Sequence, residues 1–208
     1  MIPLEELGLF ALASVALALA PGPDNIFVLM QSALYGPSRG LLVTLGLCTG
    51  LLVHTAAVSL GVAALLKTSA LAFNLLKFLG AGYLLFLAWQ SFRAKATTME
   101  QARATEPAGL RLYRRGVILN VTNPKVAIFF LAFLPQFADP QRGSIVPQIL
   151  LLGFVFMVVT LTVFGSIALA AGTLGTWLRN SPRAQVRMNR VAGGVFVLLA
   201  LRLATASR

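Results

Sequence analysis

The chain has 208 residues, 58% of them hydrophobic and 11% charged, with a mean hydropathy of +0.84. A soluble domain carries about 25% charged residues, so this composition excludes a globular surface in water and points to a membrane. The net charge of +11 gathers between apolar runs rather than along one soluble face, which argues against nucleic acid as a partner.

In chain order, the apolar runs cover about residues 7–35, 40–66, 71–92, 116–137, 145–173 and 186–205. A helical span needs about 20 such residues. The fold expected is therefore an all-α integral membrane protein of six transmembrane helices in a single domain over 1–208, surrounded by lipid. Within the first run, Ala18-Leu19-Ala20 before Pro21 looks like a signal-peptidase site. Glu5 and Glu6 stand where a basic n-region belongs, and no Lys or Arg precedes Arg39, so it reads as a retained span.

That span is interrupted by Pro21-Gly22-Pro23-Asp24-Asn25. Two prolines remove backbone donors and Gly22 adds freedom, so half-helices over about 7–20 and 25–35 are expected, with Asp24 or Asn25 as cap. The second run contains Cys48, the one cysteine, so neither a disulfide, a redox couple nor a metal pair can form. No cofactor and no metal are expected. His54, about fourteen residues into this run, reads either as a proton-coupling group or as a hydrogen-bonded packing residue. Gly46-x-x-x-Gly50 reads as a close-packing helix face. Lys77 in the third run reads as a residue that snorkels to the interface.

The polar, basic stretch 93–115 is too short for a catalytic domain and reads as a solvated linker between halves. The fourth run breaks at Asn123-Pro124-Lys125, with Asn120 one turn earlier. The fifth is free of charge and carries Ala168-x-x-x-Gly172, a second small-residue face. The sixth is the least distinct, since Arg190 and Arg202 flank a short apolar core. The first, third and fifth loops hold Arg39, then Arg93, Lys95, Arg103, Arg111, Arg114 and Arg115, then Arg179, Arg183, Arg187 and Arg190. This larger share of basic charge makes the odd loops cytoplasmic and puts both termini outside.

The halves resemble each other. Pro23-Asp24 leads to Pro37, Arg39 and Gly40, as Pro124-Lys125 leads to Pro140, Arg142 and Gly143; Lys77-x-x-Gly80-x-x-Tyr83 parallels Arg190-x-x-Gly193-x-x-Phe196. Three spans per half turn the second half upside down. The halves are then repeat 1 (about 1–92) and repeat 2 (about 116–208), the inverted arrangement of secondary transporters. No Gly-x-x-x-x-Gly-Lys-Ser/Thr loop is present, so transport would run on ion or substrate gradients. Asp24 and Lys125 fall at equivalent positions inside the membrane. They read either as a structural ion pair or as a zwitterion site, with Asp24 facing an ammonium and Lys125 a carboxylate.

Jointly, several motifs are similar to those of the LysE/RhtB family of amino-acid exporters. They are Ala20-Pro-Gly-Pro-Asp-Asn25, Gly36-x-x-Arg39-Gly40 with Gly46, Lys77-x-x-Gly80-x-x-Tyr83-Leu84, Gly116-x-x-x-Asn120-x-x-Asn123-Pro124-Lys125-x-x-x-Phe129-Phe130 and Pro135-Gln136-Phe137. The resemblance covers essentially the whole chain. It implies a bacterial inner-membrane, multi-pass exporter of amino acids or close analogues, exchanged for protons.

The expected binding residues are Pro21, Gly22, Pro23, Asp24, Asn25, Asn120, Asn123, Pro124 and Lys125, with Asp24 and His54 as proton-coupling candidates. No catalytic residue is expected, because one His with one Asp makes a thin constellation for a membrane enzyme. Export of another metabolite or a cation, and an enzyme or assembly factor, are the rival readings. The substrate's identity and homo-oligomer formation stay open at this level.

Overall fold

The computed structural model describes residues 2–20, 22–68, 70–94, 108–171 and 181–205, with backbone alone for 62–68, 70–73, 76, 182, 184, 185 and 188. Among the described residues all regular structure is helical. The helices are α1 (Leu4–Leu19), α2 (Pro23–Tyr35), α3 (Pro37–Thr68), α4 (Ala70–Arg93), α5 (Gly109–Val121), α6 (Pro124–Ile128), α7 (Ile145–Leu169) and α8 (Pro182–Thr205). α6 runs on through a π-helical turn, Phe129–Phe133, into a 3-10 turn, Leu134–Phe137.

The breaks fall where proline puts them. Pro23 and Pro124 each occupy the first turn of a new helix, where a missing amide costs nothing and the fixed φ already fits. The α1–α2 pair bends by 62° and the α5–α6 pair, extended to Phe137, by 49°. Glycine makes the turns that follow: Gly36 (φ +90°) lets α2 reverse into α3, and Gly143 (φ +116°) leads into α7. The positive-φ glycine of the first half is thus Gly36 and not Gly40, which lies within α3 against Ser32 and Ala168.

Two helices, Pro37–Gly61 within α3 and Ile145–Leu169, are long and apolar enough to cross a membrane, or four spans if each bent pair is one. The sequence predicts six. The other two, α4 and α8, have 24 residues each, about 36 Å of helix, and both include side chains outside the described set. The 93–115 stretch is partly helical, because α5 starts at Gly109. Arg115 at its middle lays its guanidinium 4.7 Å from the Phe27 ring centroid.

α3 packs chiefly on α5 and α7, and α4 on α8. Small residues set these distances. A Cβ on Gly46 would strike the Tyr113 carbonyl, and one on Gly116 would lie 2.5 Å from the Val43 carbonyl, so the α3–α5 backbones touch, as the Gly46-x-x-x-Gly50 spacing predicts. Gly80 does the same against Ala132, and Gly193 against Phe92 at 2.8 Å. Gly172 of the other small-residue pair lies outside the described residues. Lys77 is buried, with its ammonium 4.9 Å from the Phe78 ring centroid, rather than reaching outward. Side chains such as Leu52, Phe78, Leu79, Phe86, Phe154 and Leu161 face outward.

Two larger apolar clusters and a small one of Leu29 and Ala171 form the interior among the described residues. The larger joins Phe10, Phe129, Phe130, Phe133, Phe137 and Phe156 with residues of α4 and α8. The smaller holds Phe27, Val28, Val43, Leu47, Leu112, Phe164 and Ala168. The polar breaks lie between them.

Candidate functional site

A helix that stops inside the structure leaves its last carbonyls without partners on its own backbone. At the end of α1, side chains from elsewhere supply them. Lys125 Nζ donates to the Leu17 carbonyl at 3.1 Å and to the Ala20 carbonyl at 3.0 Å. Asn25 Nδ2 reaches back across the break to the Ala18 carbonyl at 2.5 Å. Lysine suits this place because a helix C-terminus carries negative partial charge. A Cβ on Gly22 would sit 3.2 Å from the Lys125 ammonium, so a side chain there would crowd the lysine and press it from its place.

The second break answers the first through Asn123. Its Oδ1 accepts from the Lys125 backbone N–H at 3.0 Å, capping α6, and its Nδ2 donates to Asp24 Oδ2 at 2.9 Å. One amide side chain therefore ties the two breaks together. Asp24 lies in the first turn of α2, where the positive helix end favours its charge. The α2 N-cap is Gly22, so neither Asp24 nor Asn25 caps it as expected; each side chain is turned to the other elements instead. Among the described residues Asp24 and Lys125 form no ion pair. Lysine is held by α1 carbonyls and aspartate by Asn123, so each charge rests on a helix end and a hydrogen bond.

A cavity opens where the elements meet, lined by Leu17, Ala18, Asp24, Asn120, Lys125, Val126, Phe156, Thr160 and Phe164. It leaves about 10 Å³ for the centre of a water-sized body, room for about one water. Three of its polar atoms are buried without a hydrogen-bond partner: Asp24 Oδ1, Asn120 Oδ1 and Thr160 Oγ1. Each such group costs roughly 1–3 kcal/mol, and three on one cavity make a site that wants donors. Asn25 Oδ1 is a fourth unpartnered atom at the first break.

His54 on α3 sits at the second break, with Nε2 3.2 Å from the Asn120 carbonyl and its ring 5.6 Å from that of Phe130. A carbonyl only accepts, so Nε2 is the donor in this bond. Pro23 and Pro124 are exposed and act on the site through backbone direction alone. Pro21 lies outside the described residues. Sequence reasoning missed Thr160, Phe156 and Phe164, which share one face of α7 at four-residue spacing and look like ordinary apolar-helix residues. Among the described residues no three His, Cys, Asp or Glu side chains gather as a metal set.

Fold and site together define an all-helical membrane protein whose polar groups are concentrated at two joined breaks. The chain belongs to the LysE type translocator family, whose members' pattern matches residues 15–207. It is 38% identical over 198 residues to an uncharacterized membrane protein of Vibrio cholerae, covering 95% of each chain. It is 34% identical to a homoserine/homoserine lactone efflux protein of Salmonella typhimurium, again over 95% of each. A membrane protein of Pseudomonas aeruginosa is 32% identical over 95% of this chain and 94% of its own. No solved structure matches the chain.

Proposed function

We propose that this protein is a secondary exporter of amino acids or close analogues across the bacterial inner membrane, with the substrate bound at the two breaks. The observation that carries the reading is the set of unpartnered acceptors on one cavity beside a buried lysine. Asp24 Oδ1 takes the substrate's ammonium, and the third N–H of Lys125, beyond the two given to Leu17 and Ala20, takes its carboxylate. A relative named for efflux of homoserine and its lactone makes a small hydroxylated amino acid the first substrate to test.

The cavity has room for only about one water, so the site must widen to admit cargo. α1 rises about 1.5 Å per residue. Going from Leu17 back to Phe10 and then Glu6 therefore crosses the large phenylalanine cluster before reaching the Glu6–Arg142 ion pair, 3.0 Å apart. Phe164 leads the other way into the smaller cluster. These clusters act as two gates that open in turn. Packing of α3 on α7 and of α4 on α8 supports six spans in two inverted halves, since equivalent helices meet across a shared axis. The inner-membrane orientation, odd loops cytoplasmic, follows the basic loops.

Proton antiport follows from competition. One oxygen, Asp24 Oδ1, cannot hold both a proton and an ammonium, so a proton from outside displaces cargo. His54, bonded to the Asn120 carbonyl beside the site, is the second candidate for proton coupling. In cells loaded with labelled amino acid, Asp24→Asn should abolish efflux while the protein still reaches the membrane at normal amounts. Normal export by that variant would remove Asp24 from the site.

A further inference from the structure

Most buried hydroxyl groups on the described helices follow one habit. Ser14, Ser32, Thr44, Thr49, Thr55, Thr122, Thr162, Ser166 and Thr205 all donate to the carbonyl four residues earlier, at 2.7–3.1 Å. That is the ordinary way to satisfy a hydroxyl inside an apolar helix. Ser59 and Thr160 depart from it, each with a buried hydroxyl that makes no hydrogen bond, and of the two Thr160 lines the cavity. Thr160 is 2% exposed, as is Asn120, whose carboxamide oxygen is the neighbouring unpartnered acceptor. Phe156 and Phe164, one turn to either side of Thr160 on α7, close the cavity with apolar rings.

We propose that Thr160 and Asn120 form the subsite that reads the substrate's side chain, and that they select a side chain ending in a hydroxyl. This rests on the exporter reading above, in which Asp24 and Lys125 engage the ammonium and carboxylate. A substrate hydroxyl donates to Asn120 Oδ1 and accepts from Thr160 Oγ–H, which satisfies both groups with one atom. An apolar side chain of the same size leaves both buried and unpaired, and a site built this way rejects it strongly. The two phenylalanines limit the length of the side chain.

Purified protein in proteoliposomes, given labelled homoserine and the isosteric norvaline in separate counterflow assays, tests the assignment. The unmodified protein should carry homoserine at least about tenfold faster. Thr160→Val, which keeps the shape and deletes the hydroxyl, should lower homoserine transport about tenfold and leave norvaline transport equal or higher. Thr160→Ser should keep the preference, and norvaline transport shows that the Val variant is folded. Equal effects of Thr160→Val on both substrates, or no preference in the unmodified protein, would overturn the subsite while leaving the exporter reading intact. Transport of no amino acid at all by the unmodified protein would overturn both.

Discussion

At the scale of single residues, the account turns on what Lys125 is bonded to. From sequence, it and Asp24 read either as a structural ion pair or as a zwitterion site, and on the second reading replacing either leaves the fold intact. The structure gives Lys125 a second duty, because its ammonium holds two carbonyls at the end of α1. Lys125→Met should therefore abolish efflux and also lower the melting temperature in detergent, by a loss of about 2–5 kcal/mol for two orphaned carbonyls. An unchanged melting temperature would mean those bonds are not formed. Asn123→Ala removes both the α6 cap and the bond to Asp24, a loss of about 1–3 kcal/mol. Asp24→Asn keeps the shape of the Asn123 contact, so it should silence transport and leave thermal unfolding nearly unchanged.

Among the helices, close backbone approach decides the packing. Gly46 and Gly116 leave no room for a methyl group between α3 and α5, and Gly46→Ala should cost about 1–3 kcal/mol by forcing them apart, read by thermal unfolding of the purified protein. Gly50→Ala should act on function instead. The added carbon would lie 2.7 Å from the Asn120 side chain, pushing that carboxamide into the cavity and slowing uptake of substrate in counterflow. These contacts were legible in part: glycine spacing and proline positions in the sequence locate the packing faces and both breaks, since few residue types permit either. The partners at the breaks were not legible. Asn123 donating to Asp24 joins residues 99 apart in sequence, and local spacing says nothing about which helix end will lie beside which side chain. Thr160 was hidden for a related reason. Threonine in an apolar helix looks like any back-bonding residue until its hydroxyl is seen without a partner.

For the whole molecule, the proposed export cycle makes the two apolar clusters the gates on either side of the cavity. The Glu6–Arg142 bridge ties the start of α1 to the segment before α7, and Asp139 also holds Arg142, at 3.1 Å. Partly exposed pairs of this kind are worth about 0–1 kcal/mol, weak enough to open in every cycle. Arg142→Gln should shift the protein toward the state open at that end, so a cysteine placed at Ala13 should label faster with a thiol reagent than in the parent, with Cys48 replaced in both. Beneath these details stands the claim that the two joined breaks bind an amino acid and exchange it for a proton. Counterflow in proteoliposomes with a panel of labelled amino acids, run with and without an inward proton gradient, tests it most directly. The account predicts saturable exchange of a small amino acid, accelerated by the gradient and absent in Asp24→Asn. Exchange of no amino acid, or exchange that persists in Asp24→Asn, would contradict it.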